Sequence, residues 1–246
     1  MAHIILVGQG ATGTVGNGVL RVALASDRVS KVSILSRREF TLPEINREKA
    51  QIILQTDYTQ YPDSVLERLK GADACIWAQG VSQNAVNEQD YLRITFDFPV
   101  ASAKAFSSLS DKGHFNFVHV SGEGADPAEK AWSLYGKIKG RAERVLRELT
   151  QTEPYTSLRV YNVRPALVAP APGHQSPALD AHIATKHVIV GALRLLRLER
   201  YVSPTDTMGK VFLDLALGDG GPIPAGPGIG DSGYLVGSLG IRKLEK

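Results

Sequence analysis

Apolar and polar positions along the chain follow two different periods. Short, nearly continuous apolar runs occur at 4–7, 31–35, 51–55, 74–78, 115–120 and 156–160. Runs of that length predict strands buried on both faces, as in a parallel sheet. Between them, apolar residues recur every three or four positions over 14–25, 61–70, 90–108 and 128–149, which predicts helices that turn one face to that sheet. Val15, Val19, Val22 and Ala23 mark the face of the first helix. Pro99 inside the third implies a kink or a late helix start, because proline lacks the N–H a helix interior needs. Strand alternating with helix predicts an α/β fold built on a doubly wound parallel sheet.

Past residue 165 the pattern loosens. Residues 169–177 read as a loop, 178–200 as an amphipathic helix, and Ser203-Pro204-Thr205-Asp206 as the cap of a helix over 207–217. Residues 218–233 are rich in Gly and Pro and predict irregular chain, with a short ordered segment over 234–244. No clean linker interrupts this order. The chain is expected to form one domain, 1–246, in which 166–246 is a smaller C-terminal appendage covering the substrate.

The first strand runs into Gly8-Gln9-Gly10-Ala11-Thr12-Gly13-Thr14-Val15-Gly16, so a glycine-rich turn joins it to the first helix. Glycine suits a turn with positive φ, a backbone that must approach a pyrophosphate, and close packing of helix on strand. The helix N-terminus adds unpaired N–H groups and a favourable dipole. The expected cofactor is therefore a dinucleotide, held by Gly10, Thr12, Gly13, Thr14, Val15 and Gly16. At the end of the second strand stand Arg37 and Arg38, with no acid before Glu39. Arginine suits a ribose 2′-phosphate and an acid suits a free 2′-hydroxyl, so NADP (NADPH) is expected over NAD. Asp57 and Tyr58 follow the third strand, where an adenine could lie. Ala78, Gln79 and Gly80 follow the fourth, near the nicotinamide ribose.

The fifth strand ends in Ser121, and strand ends in an open parallel sheet face the ligand crevice. Fourteen residues on, Tyr135 and Lys139 sit four apart on one predicted helix and so share a face. A phenol with an ordinary pKa near 10 is a reluctant acid–base group, and a neighbouring ammonium, with the positive nicotinamide ring of the oxidised complex, would lower that value. Tyr135 would exchange a proton with a carbonyl oxygen, Ser121 would hydrogen-bond the same oxygen, and Lys139 would hold ribose hydroxyls. Arg164, leaving the sixth strand, completes the expected cofactor contacts. His182 and His187 are five apart and fall on different helix faces, His119 belongs to a strand interior, and no cluster has metal-ligand spacing, so no metal is expected.

Bulk properties narrow the partners. The chain has 246 residues, 43% of them hydrophobic, enough for a sizeable core. A formal charge of +3, from 28 basic and 25 acidic residues interleaved along the chain, argues against nucleic acid. No apolar run reaches the length of a membrane span, and the N-terminal run is too short for a signal peptide. The single cysteine, Cys75, is expected in the core and permits no internal disulfide. A cytoplasmic protein with a small-molecule substrate is expected, as a monomer or homodimer.

These motifs together carry a resemblance. Gly10-Ala11-Thr12-Gly13-Thr14-Val15-Gly16, Ser36-Arg37-Arg38, Ser121-Gly122-Glu123-Gly124-Ala125, Tyr135 with Lys139-Gly140-Arg141-Ala142-Glu143, and Arg164-Pro165 resemble the atypical short-chain dehydrogenases/reductases, in particular their Tat-interacting-protein-like oxidoreductase branch and its small fungal relatives. The resemblance runs over roughly the first 170 residues. It implies a Rossmann fold, NADP(H) and carbonyl or alcohol chemistry. Many relatives carry an Asn in the helix after the fourth strand that completes a proton relay, and Thr95-Phe96-Asp97-Phe98-Pro99 holds none. The leading expectation is an NADPH-dependent oxidoreductase reducing a carbonyl, or oxidising the alcohol, of a small and mostly apolar metabolite. The alternatives are a cofactor-sensing regulatory protein without turnover and a non-redox isomerase or cyclase on the same scaffold.

Overall fold

The computed structural model describes residues 1–7, 13–172 and 202–245. In chain order these residues form β1 (Ala2–Val7), α1 (Thr14–Ala25), β2 (Val29–Ser36), β3 (Ala50–Leu54), α2 (Asp63–Leu69), β4 (Ala74–Trp77), α3 (Glu88–Leu92), α4 (Phe98–Phe106), β5 (Phe115–Val120), α5 (Leu134–Leu149) and β6 (Leu158–Arg164). They continue with β7 (Leu167–Ala169), β8 (Val202–Pro204), α6 (Thr205–Leu217), β9 (Ile229–Gly230), β10 (Leu235–Gly237) and α7 (Ser238–Leu244). The expected helix over 178–200, with His182 and His187, lies outside the described residues.

One sheet organises the molecule, in the order β3-β2-β1-β4-β5-β6-β10-β9, and β7 pairs with β8 separately. Every pair in the large sheet is parallel except β9 with β10. This is a doubly wound, Rossmann-like sheet, and the reversal of strand order between β1 and β4 opens a crevice at their C-terminal ends. All six residues of β1 and of β5 are buried, as strands covered on both faces require. On one face Val19, Leu20 and Ala23 of α1 meet Met208, Val211 and Phe212 of α6 over Ile4, Leu6 and Val118. On the other, α2, α4 and α5 cover Ile5, Cys75, Trp77, Phe117 and Val160.

Several boundaries differ from the sequence expectation for local reasons. The segment expected as one helix over 90–108 is α3, a π-helical turn at Arg93–Asp97 and α4. The Phe98 N–H reaches the Arg93 carbonyl, an i to i+5 bond, immediately before Pro99 removes the next donor. The helix expected from 128 starts at Leu134. Ser133 caps it by accepting the Gly136 N–H at 3.1 Å, and Asp126 holds the preceding turn by accepting from Ala128 and Lys130. β6 runs on to Arg164, so Asn162 and Arg164 are strand residues. Residues 202–245, expected in the appendage, add β9 and β10 to the sheet and α6 to its face. Among the described residues no helix is long and apolar enough to cross a membrane, and no group of His, Cys, Asp and Glu could hold a metal ion.

Burial leaves a signature in the pH dependence of stability. His3 is pushed down to about 4 and His119 to about 3, in both cases chiefly by desolvation. Both histidines are neutral in the fold, whereas the unfolded chain takes up protons near 6.5, so acid favours unfolding. Urea unfolding at fixed ionic strength is expected to show stability falling as pH drops from about 6.5 towards 4, with a shallower fall in His3→Gln.

Candidate active site

The crevice is assembled by a close fit between a strand end and a helix. After β5, residues 121–126 lie along α5, where the Asp126 N–H donates to the Gly136 carbonyl at 2.9 Å. Gly140 makes this approach possible, since a Cβ there would stand 1.9 Å from the Asp126 carbonyl oxygen. At Gly122 a Cβ would stand 1.9 Å from the Tyr135 hydroxyl, so the phenol occupies the space that glycine leaves. The same fit brings Ser121 to the site. Its Oγ is buried and has no hydrogen-bond partner among the described residues. Gln83, from the loop after β4, accepts the Tyr135 N–H at 2.8 Å and ties that loop to the start of α5.

Lys139 follows one turn below Tyr135, with Nζ 5.8 Å from the ring centroid. Its ammonium donates to the Val120 carbonyl at 3.2 Å, at the end of β5. Burial lowers its pKa to about 8, against the opposing pull of Glu143. The Tyr135 phenol moves the other way. Burial first, then Tyr91, Glu143 and Glu123, push it up to about 12, and Arg164 opposes them. The lowered phenol expected from the sequence is therefore not what the protein's own groups produce: desolvation of a phenolate outweighs the nearby cation. Tyr135 is a protonated acid at neutral pH.

A dinucleotide fits the residues present. Gly13, the N-cap of α1, has extended backbone and no side-chain cap, so the first turn keeps N–H groups for an anion, and Gly16 is buried behind it. Thr14 and Val15 are half-buried in that turn, while Gly8, Gly10 and Thr12 lie outside the described residues. Beyond β4, Ala78 is half-buried, Gly80 is exposed, and Gln79 is buried with an Oε1 that has no partner among the described residues. Arg37 and Arg38 stand exposed at the end of β2, where Ser36 Oγ donates to the Arg38 carbonyl at 2.7 Å. Asp57 is occupied locally: it accepts from Thr59 N at 2.9 Å and Oγ1 at 2.7 Å and pairs with Arg93, bonds that hold its carboxyl below the usual range.

Two residues expected at the cofactor have partners within the protein. Tyr58 presents no ring to an adenine: its side chain is fully buried between Trp77 and Phe98, and its hydroxyl donates to the Leu35 carbonyl at 3.2 Å. Apolar partners on two elements, β4 and α4, hold the ring in the core. Arg164 turns its guanidinium to Glu143, with Nε to Oε1 at 2.8 Å and Nη2 to Oε2 at 2.5 Å. Glu143 is 2% exposed, and such a carboxylate needs a cation beside it. The sequence reading gave Glu143 no role, although it lies four residues after Lys139, as Lys139 lies four after Tyr135. Beneath this pair, Asn162 Nδ2 donates to the Glu143 carbonyl at 3.3 Å, and Asn162 Oδ1 meets His119 Nδ1 at 2.9 Å.

Comparisons agree with this architecture. Residues 10–174 match the NAD(P)H-binding family. A relative from Purpureocillium lilacinum, named leucinostatins biosynthesis cluster protein T, is 32% identical over 98% of this chain and 94% of its own length. The rat protein HTATIP2 is 27% identical over 57% of this chain and 55% of its own. Among solved structures, an oxidoreductase of the short chain dehydrogenase/reductase family from Burkholderia thailandensis superposes with a TM-score of 0.65, covering 98% of this chain and 92% of that one at 14% identity. That identity speaks for the fold alone.

The seating of the strand end on α5 is open to test. Gly140→Ala is expected to force the Asp126 backbone away and cost about 1–3 kcal/mol, read as a lower urea midpoint. A midpoint equal to wild type would show that the helix and loop do not meet this closely.

Proposed function

Because the chain belongs to the NAD(P)H-binding family, as an atypical short-chain dehydrogenase/reductase, we propose that it is an NADPH-dependent oxidoreductase that reduces a carbonyl of a small, mostly apolar metabolite. The observation that carries this reading is the Tyr135 hydroxyl seated on Gly122 beside the Ser121 Oγ, which has no partner among the described residues, with Lys139 one turn below. A substrate carbonyl oxygen between the two hydroxyls would satisfy Ser121, whose desolvation otherwise costs about 1–3 kcal/mol.

When bound, the nicotinamide supplies hydride chemistry at the substrate carbon. Gly13, Thr14, Val15 and Gly16 would hold the pyrophosphate at the start of α1, together with Gly10 and Thr12. Arg37 and Arg38 would hold a 2′-phosphate, Ala78, Gln79 and Gly80 would border the nicotinamide half, and Lys139 would bind ribose hydroxyls. Tyr135, protonated at neutral pH, gives its proton to the carbonyl oxygen, and Ser121 orients that oxygen. The high phenol pKa matches the acid needed for reduction more closely than the base needed for oxidation. The Purpureocillium relative's name places that protein in a biosynthesis cluster, which supports a small metabolite as substrate here.

With a panel of ketones, NADPH oxidation is expected in wild type and is expected to fall about 100-fold or more in kcat for Tyr135→Phe. Equal rates in the two proteins would exclude the phenol as acid. No turnover alongside tight NADPH binding would favour a cofactor-sensing regulator, and product formed without cofactor consumption would favour an isomerase or cyclase. The double variant Arg37→Ala/Arg38→Ala is expected to raise KM for NADPH about 10- to 100-fold and leave that for NADH nearly unchanged, as loss of charge-assisted bonds predicts.

A further inference from the structure

Tyr135, Lys139 and Glu143 follow one another at single-turn spacing along α5. The first two face the crevice residues already described, and the third is the most deeply buried carboxylate in the neighbourhood, 2% exposed and gripped through two bonds by Arg164 from β6. We propose that Glu143 is a positioning residue: clamped by Arg164 in the turn below Lys139, its carboxylate keeps the lysine ammonium charged and anchored at the end of β5. The proposal rests on the reading of Lys139 as the site lysine.

The surroundings leave few other sources of that charge. From α5 itself Lys139 faces Tyr135, which is neutral, and Glu143. From β5 it faces His119, pushed down to about 3 and therefore neutral, so that it offers no compensating charge. From β6 comes Arg164, whose guanidinium is turned to Glu143 and tempers the field of that carboxylate. From the strand-end loop, the carboxylate of Glu123 accepts the Ser238 N–H at 2.9 Å and so serves the first turn of α7. From α3, Tyr91 is a buried, neutral phenol. Burial alone drives the ammonium towards its neutral form, and Glu143 is the group that opposes it. A neutral lysine would lose both its attraction for ribose hydroxyls as a cation and its field at the Tyr135 oxygen. Among the described residues Glu143 pairs with Arg164 and makes no direct ion pair with Lys139, so its carboxylate acts on the ammonium through the field across one helical turn.

The test is the titration of Lys139 by NMR of 15N-labelled lysine side chains, assigned with Lys139→Arg and followed on the whole protein without substrate. Wild type is expected to titrate near 8. Glu143→Gln is expected to lower that midpoint by about one unit, a ten-fold loss of proton affinity, and Glu143→Asp to restore most of it. Arg164→Gln is expected to shift it upwards, because a cation leaves and the carboxylate is freed. Opposite shifts in the two variants are what a merely structural role would not produce, and the arginine variant keeps the question answerable should Glu143→Gln fold poorly. An unchanged midpoint in Glu143→Gln, or a downward shift in Arg164→Gln, overturns the proposal. The readout needs no turnover: a positioning effect with Tyr135→Phe as active as wild type would leave Glu143 in place and remove the phenol's role as acid instead.

Discussion

The structure depends on one close contact, the backbone of residues 121–126 laid directly on α5 at Gly136 and Gly140. Everything chemical in the crevice follows from it. If the loop stood off by the width of a methyl group, the Tyr135 hydroxyl would lose its seat over Gly122, and Ser121 would no longer share a space with it. Glycine in a helix interior costs about 1 kcal/mol relative to alanine. Here two glycines one turn apart exchange that cost for a strand end and a helix held at backbone distance. The rest of α5 is rich in Lys, Arg, Glu and Leu, good helix formers that offset the loss.

Charge is arranged around that contact in two layers. The upper layer holds groups with polar atoms that have no partner among the described residues, Ser121 and Gln79, as suits a place where something else binds. The lower layer, Glu143 with Arg164 and Asn162 with His119, is satisfied throughout. The boundary between them falls at Lys139, whose ammonium bonds downwards to a main-chain carbonyl and whose proton is held less firmly than in water.

The sheet could be read from the chain because parallel strands covered on both faces must be apolar throughout, and 4–7 and 115–120 are nearly so. The helix face carrying Tyr135 and Lys139 was equally open to reading, since four residues make nearly one turn. What escaped was whatever depends on competition between distant groups. Tyr58 follows a strand as an adenine contact would, yet Trp77 and Phe98, which come from elsewhere in the chain, draw its ring inwards. Arg164 leaves the sixth strand towards the ligand side, yet Glu143 holds it. A three-residue strand, β10, is too short to show a period, and only its pairing with Leu235 opposite Asn162 identifies it.

That late strand and α6 bear on how the molecule comes into being. The residues that match the family end at 174, whereas the apolar face of α1 is closed by Met208, Val211 and Phe212 and the open edge of β6 by Leu235 and Val236. Among the described residues it is 202–245 that close this helix face and pair this strand edge, so a polypeptide emerging from the ribosome completes its family-matching portion before these residues arrive to finish the core. For expression work, the sequence-match boundary is not the folding boundary: a fragment cut there would carry an intact motif on an unfinished core.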